Sequence, residues 1–121
     1  MAYRRWFLIL TLLLMACGRE EVPSATVEME DPVQLGARKA RVCMGCHGPK
    51  GISRIASYPS LAGKSEAYLA EQMRAFKSGE RENPMMNAMA TNLNEDDILH
   101  LAAYFSAQAT PGGEPQGGAG D

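Results

Sequence analysis

The side chains with the most definite chemistry in this chain lie within five consecutive residues. They read Cys43-Met44-Gly45-Cys46-His47. This C-x-x-C-H order is typical of covalent haem attachment, because two intervening residues place the sulfur atoms about one helical turn apart, which matches adjacent haem vinyl groups. The histidine that follows can be the proximal ligand of the iron. The sequence therefore predicts one covalently attached haem, held by Cys43, Cys46 and His47.

Two other chemistries also use a C-x-x-C pair. A structural zinc takes four ligands, and the only other cysteine and histidine of the chain are Cys17 and His100. A thioredoxin-type redox pair accompanies alternating strands and helices, and the hydrophobic pattern contains no convincing strand. Zinc and dithiol chemistry stay open as alternatives, although the pattern favours haem.

The first residues have the features of an export signal. Arg4 and Arg5 precede an apolar run from Trp6 to Met15 that is broken only by Thr11. That run is shorter than the roughly 20 residues that a membrane-spanning helix needs. We therefore predict a signal peptide over residues 1–16.

The signal ends in Leu14-Met15-Ala16-Cys17, which resembles the lipobox of bacterial lipoproteins. Because the other two cysteines are assigned to haem attachment, lipidation of Cys17 is the preferred interpretation. Acyl chains there would hold the protein at a membrane surface without a transmembrane helix. The alternative is an ordinary signal peptide in which Cys17 has no role.

Composition divides the rest of the chain into three parts. Residues 17–31 are acidic and lack apolar periodicity, so we predict a flexible tether with a reach of about 20 Å. Residues 32–109 are enough for one small domain. Residues 110–121 contain five glycines and two prolines, which predicts a disordered tail.

The charged residues are unevenly distributed. The chain has 12 basic and 14 acidic side chains, and the stretch from Arg38 to Arg81 holds nine of the basic ones. A mixed, solvated surface is the simpler interpretation, and a basic rim that steers acidic partners is the alternative. The net acidic charge of this exported chain argues against nucleic acid as a partner.

Caps and apolar periodicity predict an all-α domain. The first helix begins after Asp31 and reaches about Cys43, with Gly36 inside it. The second spans residues 65–78, and the third begins at Asn94 with a variant of the capping box. His100 lies off the apolar face of the third helix, so we expect it to be exposed. The predicted buried stripes are Leu69, Met73 and Phe76 on the second helix, and Ile98, Leu101, Ala102 and Phe105 on the third.

These features together resemble the class I c-type cytochromes, and most closely the short bacterial periplasmic ones. The match covers about residues 31–108. The resemblance implies a small all-α fold wrapped around one haem, in which the first and last helices cross at Gly36 and Tyr104. Its three blocks are Cys43-Met44-Gly45-Cys46-His47-Gly48, then Tyr58-Pro59-Ser60-Leu61-Ala62-Gly63, then Met85-Met86 through Leu93 and on to Leu101-Ala102-Ala103-Tyr104-Phe105.

The resemblance also implies a sixth iron ligand. The family uses a methionine from a loop before the last helix, and the candidates here are Met85, Met86 and Met89. The family spacing of seven residues before Leu93 selects Met86. Met85 is the alternative, and Met89 is interpreted as a filler of the small core.

Further site residues follow from the same resemblance. In the family, the other ring nitrogen of the ligating histidine donates to the carbonyl of a proline, and Pro59 matches that proline. Asn83 and Arg81 precede the methionine segment and are candidates for contact with a haem propionate or with the thioether.

An iron bound by both His47 and a methionine has no open coordination position. The predicted function is therefore one-electron transfer between protein partners of a respiratory chain, by a monomer anchored at the periplasmic face of a bacterial membrane, and not catalysis. The alternatives are a haem enzyme or ligand sensor with a five-coordinate iron, and a fixed subunit of a larger oxidoreductase.

Overall fold

The computed structural model of the protein describes residues 29–110 and residue 112. The predicted signal peptide, the predicted lipidation site Cys17 and most of the predicted tether and tail lie outside them. None of the described helices is long and apolar enough to cross a membrane. The all-α prediction is confirmed: the helices are α1 (Pro32–Lys39), α2 (Arg41–His47), α3 (Glu66–Ser78), α4 (Pro84–Thr91) and α5 (Glu95–Ser106), with a 3-10 turn over Pro49–Gly51.

The N-terminal helical run is longer than predicted. Asp31 caps α1 by accepting a hydrogen bond from the backbone N–H two residues on, at 3.0 Å. Ala40 keeps helical dihedral angles and backbone hydrogen bonds on both sides, so α2 continues almost directly from α1. The run ends at Gly48, whose φ of 81° favours glycine. The predicted end near Cys43 was too early, because the attachment pattern itself forms the last turns.

Helices α1 and α5 cross at Gly36. A Cβ atom on Gly36 would lie 1.9 Å from the carbonyl oxygen of His100 and 2.7 Å from Cβ of Tyr104. Both distances are far inside van der Waals contact, so any larger residue would force the helices apart. The predicted crossing of the first and last helices is thereby confirmed.

The core forms where α5 packs against α1 and α3. Ser65 caps α3 and Gly79, with a φ of 84°, ends it. Helix α5 opens with a complete capping box between Asn94 and Asp97, as predicted. The predicted stripes are largely buried, and their most buried members are Leu69, Phe76, Ile98, Leu101, Ala102 and Phe105.

His100 is less exposed than the sequence predicts. It is half-buried, and its Nδ1 atom is buried without a hydrogen-bond partner. The reason is the close crossing, because Gly36 lets the backbone of α1 approach α5 at this turn. Periodicity along α5 alone could not show that a second helix covers this position.

The methionine segment is a helix and not the predicted loop. The side chain of Asn83 caps α4 by accepting from the N–H of Met86 at 3.1 Å, and Pro84 occupies the first helical position. Proline there is already in a helical φ, and the methionines and alanines that follow favour helix. Eight residues are too few for periodicity to reveal them.

Candidate functional site

The two thiols of the attachment pattern lie in the last turns of α2. Cys43 is half-buried, Cys46 is exposed, and neither forms a disulfide within residues 29–110. Burial raises the pKa of the Cys43 thiol, with a smaller rise from the neighbouring Cys46, although a backbone hydrogen bond opposes it.

Met44, between the two cysteines, anchors α2 to its surroundings. Its Sδ atom accepts a hydrogen bond from the backbone N–H of Lys50 at 3.3 Å and lies 3.8 Å from the hydroxyl of Tyr104. The first contact ties α2 to the 3-10 turn, and the second ties it to α5. These two contacts connect the helix that carries the thiols to its neighbours.

The ring of His47 is oriented by a backbone carbonyl. Its Nδ1 atom lies 2.7 Å from the carbonyl oxygen of Pro59, and the residue is only 6% exposed. Because a carbonyl can only accept, Nδ1 carries the proton and Nε2 is the nitrogen that can bind a metal. The Pro59 loop is held by a hydrogen bond of 3.0 Å from the N–H of Ser53 to Oγ of Ser60.

Helix α4 places its three methionines on two faces. Met86 lies one turn before Ala90, which is fully buried, and Leu93 on the same side packs against the core. Met85 and Met89 share the other face and are 61% and 39% exposed. Met86 is therefore the candidate ligand on the inward face. The interpretation of Met89 as a core filler was wrong, because the helix turns it outward.

Arg81 and Asn83 make contacts within the protein at the start of α4. The guanidinium of Arg81 donates to Oε1 of Gln72 and lies 4.6 Å from the ring centroid of Phe76. Asn83 is the cap of α4. Their contact with a haem propionate or a thioether stays a prediction.

Asn87 is a residue of this region that sequence reasoning missed. Its side chain bonds three backbone groups, those of Phe76, Arg81 and Asn83. The available signal was the pair Asn83-Pro84, which can open a helix and would place Asn87 one turn later. The sequence could not show that the carbonyl groups of Phe76 and Arg81 lie within hydrogen-bond distance of this side chain.

The described residues fit a covalently attached haem. Two cysteines one turn apart that are not in a disulfide can form the thioethers, and His47 and Met86 offer the nitrogen and sulfur donors that such an iron takes. Between residues 29 and 110, no three His, Cys, Asp or Glu side chains form a group that could hold a metal ion.

Comparison with known proteins agrees with this chemistry. Cytochrome c4 of Pseudomonas aeruginosa is 44% identical over 73 residues, which are 60% of this chain and 36% of that protein. Cytochrome c-554(548) of Halomonas halodenitrificans is 37% identical over 76 residues, which are 60% of this chain and 92% of that protein. The structure of Acidithiobacillus ferrooxidans cytochrome c4 superposes with a TM-score of 0.61 at 29% identity, covering 63% of this chain and 49% of that one.

The chain thus spans between a third and a half of the two cytochromes c4, and nearly all of the Halomonas protein. The family model for cytochrome c matches residues 33–108. That range includes the attachment pattern, the Pro59 loop and helices α4 and α5. The chain therefore belongs to the cytochrome c family, as a class I c-type cytochrome with covalently bound haem c.

Proposed function

We propose that this protein is a one-electron carrier that serves redox protein partners and has no substrate turnover of its own. Haem c supplies a ferrous/ferric couple when it is bound. The observation that carries the proposal is the fixed His47 ring, whose Nδ1 atom lies 2.7 Å from the carbonyl oxygen of Pro59. A ligand held in one orientation by the backbone favours one coordination geometry in both oxidation states.

Relatives support the same conclusion. The published structure of the Acidithiobacillus ferrooxidans cytochrome c4 is described as supporting a complex-induced tuning of electron transfer. This chain shares its fold at 29% identity. We extend electron transfer to this chain on that basis.

The proposal assigns Met86 as the sixth ligand, because it lies on the inward face of α4 with Ala90. We expect Met86→Ala to yield a high-spin haem with a lowered reduction potential. Met85→Ala and Met89→Ala, on the exposed face of the same helix, are matched controls and should keep a low-spin spectrum. A high-spin Met85→Ala protein would move the ligand to Met85.

The optical spectrum of the natively matured protein tests the carrier function. We expect a low-spin ferric form, reversible one-electron reduction, and no rapid binding of carbon monoxide without denaturant. A high-spin ferric form that binds carbon monoxide rapidly would instead indicate a haem enzyme or sensor. Purification that always yields a larger complex would indicate a fixed subunit.

We further propose that Cys17 carries a lipid that holds a monomeric protein at the periplasmic face of a bacterial membrane. The support is the Leu14-Met15-Ala16-Cys17 pattern and the assignment of the two other cysteines to haem. Mass spectrometry of the mature protein should show one haem and an acylated Cys17. Cys17→Ser should leave the haem in place and release the protein from the membrane, and a membrane-bound Cys17→Ser protein would refute the anchor.

A further inference from the structure

The side-chain amide of Asn87 connects α4 to the chain segment that precedes it. Its Nδ2 atom donates to the carbonyl oxygen of Phe76 at 2.6 Å and to that of Arg81 at 2.9 Å. Its Oδ1 atom accepts from the backbone N–H of Asn83 at 2.8 Å. One amide therefore links the last turn of α3, the turn after it, and the cap of α4.

These three backbone partners explain why the side chain at position 87 has to be an amide. Two carbonyl oxygens require a group with two donors, and the N–H of Asn83 requires an acceptor on the same side chain. Among residues of this size only asparagine provides both. A carboxylate at the same place would face the carbonyl oxygens of Phe76 and Arg81, and alanine would leave all three groups without this partner.

The position of Asn87 couples this contact to Met86. The two residues are adjacent in the first turn of α4, where one residue corresponds to about 1.5 Å along the axis and 100° of rotation. Asn83, which accepts the N–H of Met86, is itself held by Asn87. A change of the amide therefore shifts or rotates the turn that carries the Met86 thioether.

We propose that Asn87 is a positioning residue that holds the thioether of Met86 in its ligating place. The inference rests on the proposed function, because it takes Met86 as the sixth ligand. Asn87 acts through backbone groups at both ends of the short segment between α3 and α4, and it needs no contact with the cofactor itself.

The test uses ferric holoprotein and imidazole, a probe that competes for the sixth coordination position. In Asn87→Asp we expect imidazole to bind about tenfold more tightly, which corresponds to about 1.4 kcal/mol. The charge-transfer absorption of methionine-ligated ferric haem should weaken, and the reduction potential should fall. Asn87→Ala, which adds no charge, should change all three in the same direction by less.

Two controls separate positioning from general destabilisation. Asn92→Asp makes the same substitution on an exposed asparagine at the other end of α4, and Ile98→Val loosens the core within α5. Both should keep the absorption and imidazole affinity of the parent protein. Asn87 variants that are less stable but spectroscopically unchanged would overturn the proposal. A parent protein without the charge-transfer absorption would overturn the proposed ligand as well, so the two failures are distinguishable.

Discussion

The two sides of the site are held in different ways. On the histidine side, His47 is fixed by the carbonyl of Pro59, and two thiols one turn apart in α2 provide covalent attachment. On the methionine side, α4 is held by the side-chain amides of Asn83 and Asn87. The backbone carbonyl of Pro59 is still present after most side-chain substitutions, whereas a single substitution removes the side-chain amide of Asn83 or Asn87. The methionine side is therefore the half of the site that mutation can adjust without preventing cofactor attachment.

The largest expected effect concerns covalent attachment itself. In the double variant Cys43→Ala and Cys46→Ala, no thioether can form, and we expect denatured protein to carry no haem. Met44→Leu lies between the two and conserves volume, so it should keep the haem at a cost of less than about 1.5 kcal/mol. Haem staining after denaturing electrophoresis measures the covalently bound haem in both variants. Covalent haem in the double variant would contradict the assignment of the histidine side.

The next effect concerns the crossing of α1 and α5, which both sides of the site share. Gly36→Ala places a Cβ atom against the carbonyl oxygen of His100, and we expect the free energy of unfolding to fall by about 1–3 kcal/mol or more. Gly45→Ala is a matched control, because its Cβ atom would meet nothing within 4 Å. Urea unfolding measures the free energy of unfolding of the two variants. Equal stability of the two would show that the helices are not in such close contact.

A third prediction compares one hydrogen bond from each side. Ser60→Ala removes the acceptor for the N–H of Ser53 on the histidine side, and Asn83→Ala removes the cap of α4. Each should lower the free energy of unfolding by about 1 kcal/mol. Only Asn83→Ala should also weaken the methionine–iron absorption. The same spectroscopic change in Ser60→Ala would mean that the two sides are not held independently.

The smallest effect is a pH dependence at the start of α5, next to the methionine side. A hydrogen bond from Lys39 and another from the backbone N–H of Asn94 lower the pKa of Asp97. The stability from this carboxylate is present above its unfolded pKa of about 3.9 and is lost as the pH falls through the lower folded value.

Asp97→Asn should therefore flatten part of the acid limb of the stability curve, by about 1 kcal/mol or less. Lys39→Met, which removes the partner that lowers the pKa of Asp97 most, should flatten the same limb. Urea unfolding from pH 2 to pH 6 measures the difference. An acid limb that is identical in Asp97→Asn and the parent protein would show that the pairing contributes nothing.

Local patterns were enough to predict much of the fold. The caps at Asp31, Ser65 and Asn94 act on their own next turn, and the apolar stripe of α5 depends only on helical periodicity. The helix crossing at Gly36 came from the family resemblance, and the contact with the His100 backbone confirms it.

What depended on packing was predicted less well. The half-burial of His100 depends on Gly36, which is distant along the chain. The role of Asn87 depends on a carbonyl 11 residues away in α3, and the helix of the methionine segment is too short for periodicity to reveal.

The sequence by itself determined the chemistry of the chain, because the reactive groups of Cys43, Cys46 and His47 and their spacing are properties of five adjacent residues. Only the tertiary structure decided which way the candidate ligands face. His47 is oriented by a carbonyl 12 residues away along the chain. The turn that carries Met86 is held by the side-chain amide of Asn87, whose partners include a carbonyl in α3. Such hydrogen bonds depend on where separate segments meet in space, and a linear pattern does not contain that distance.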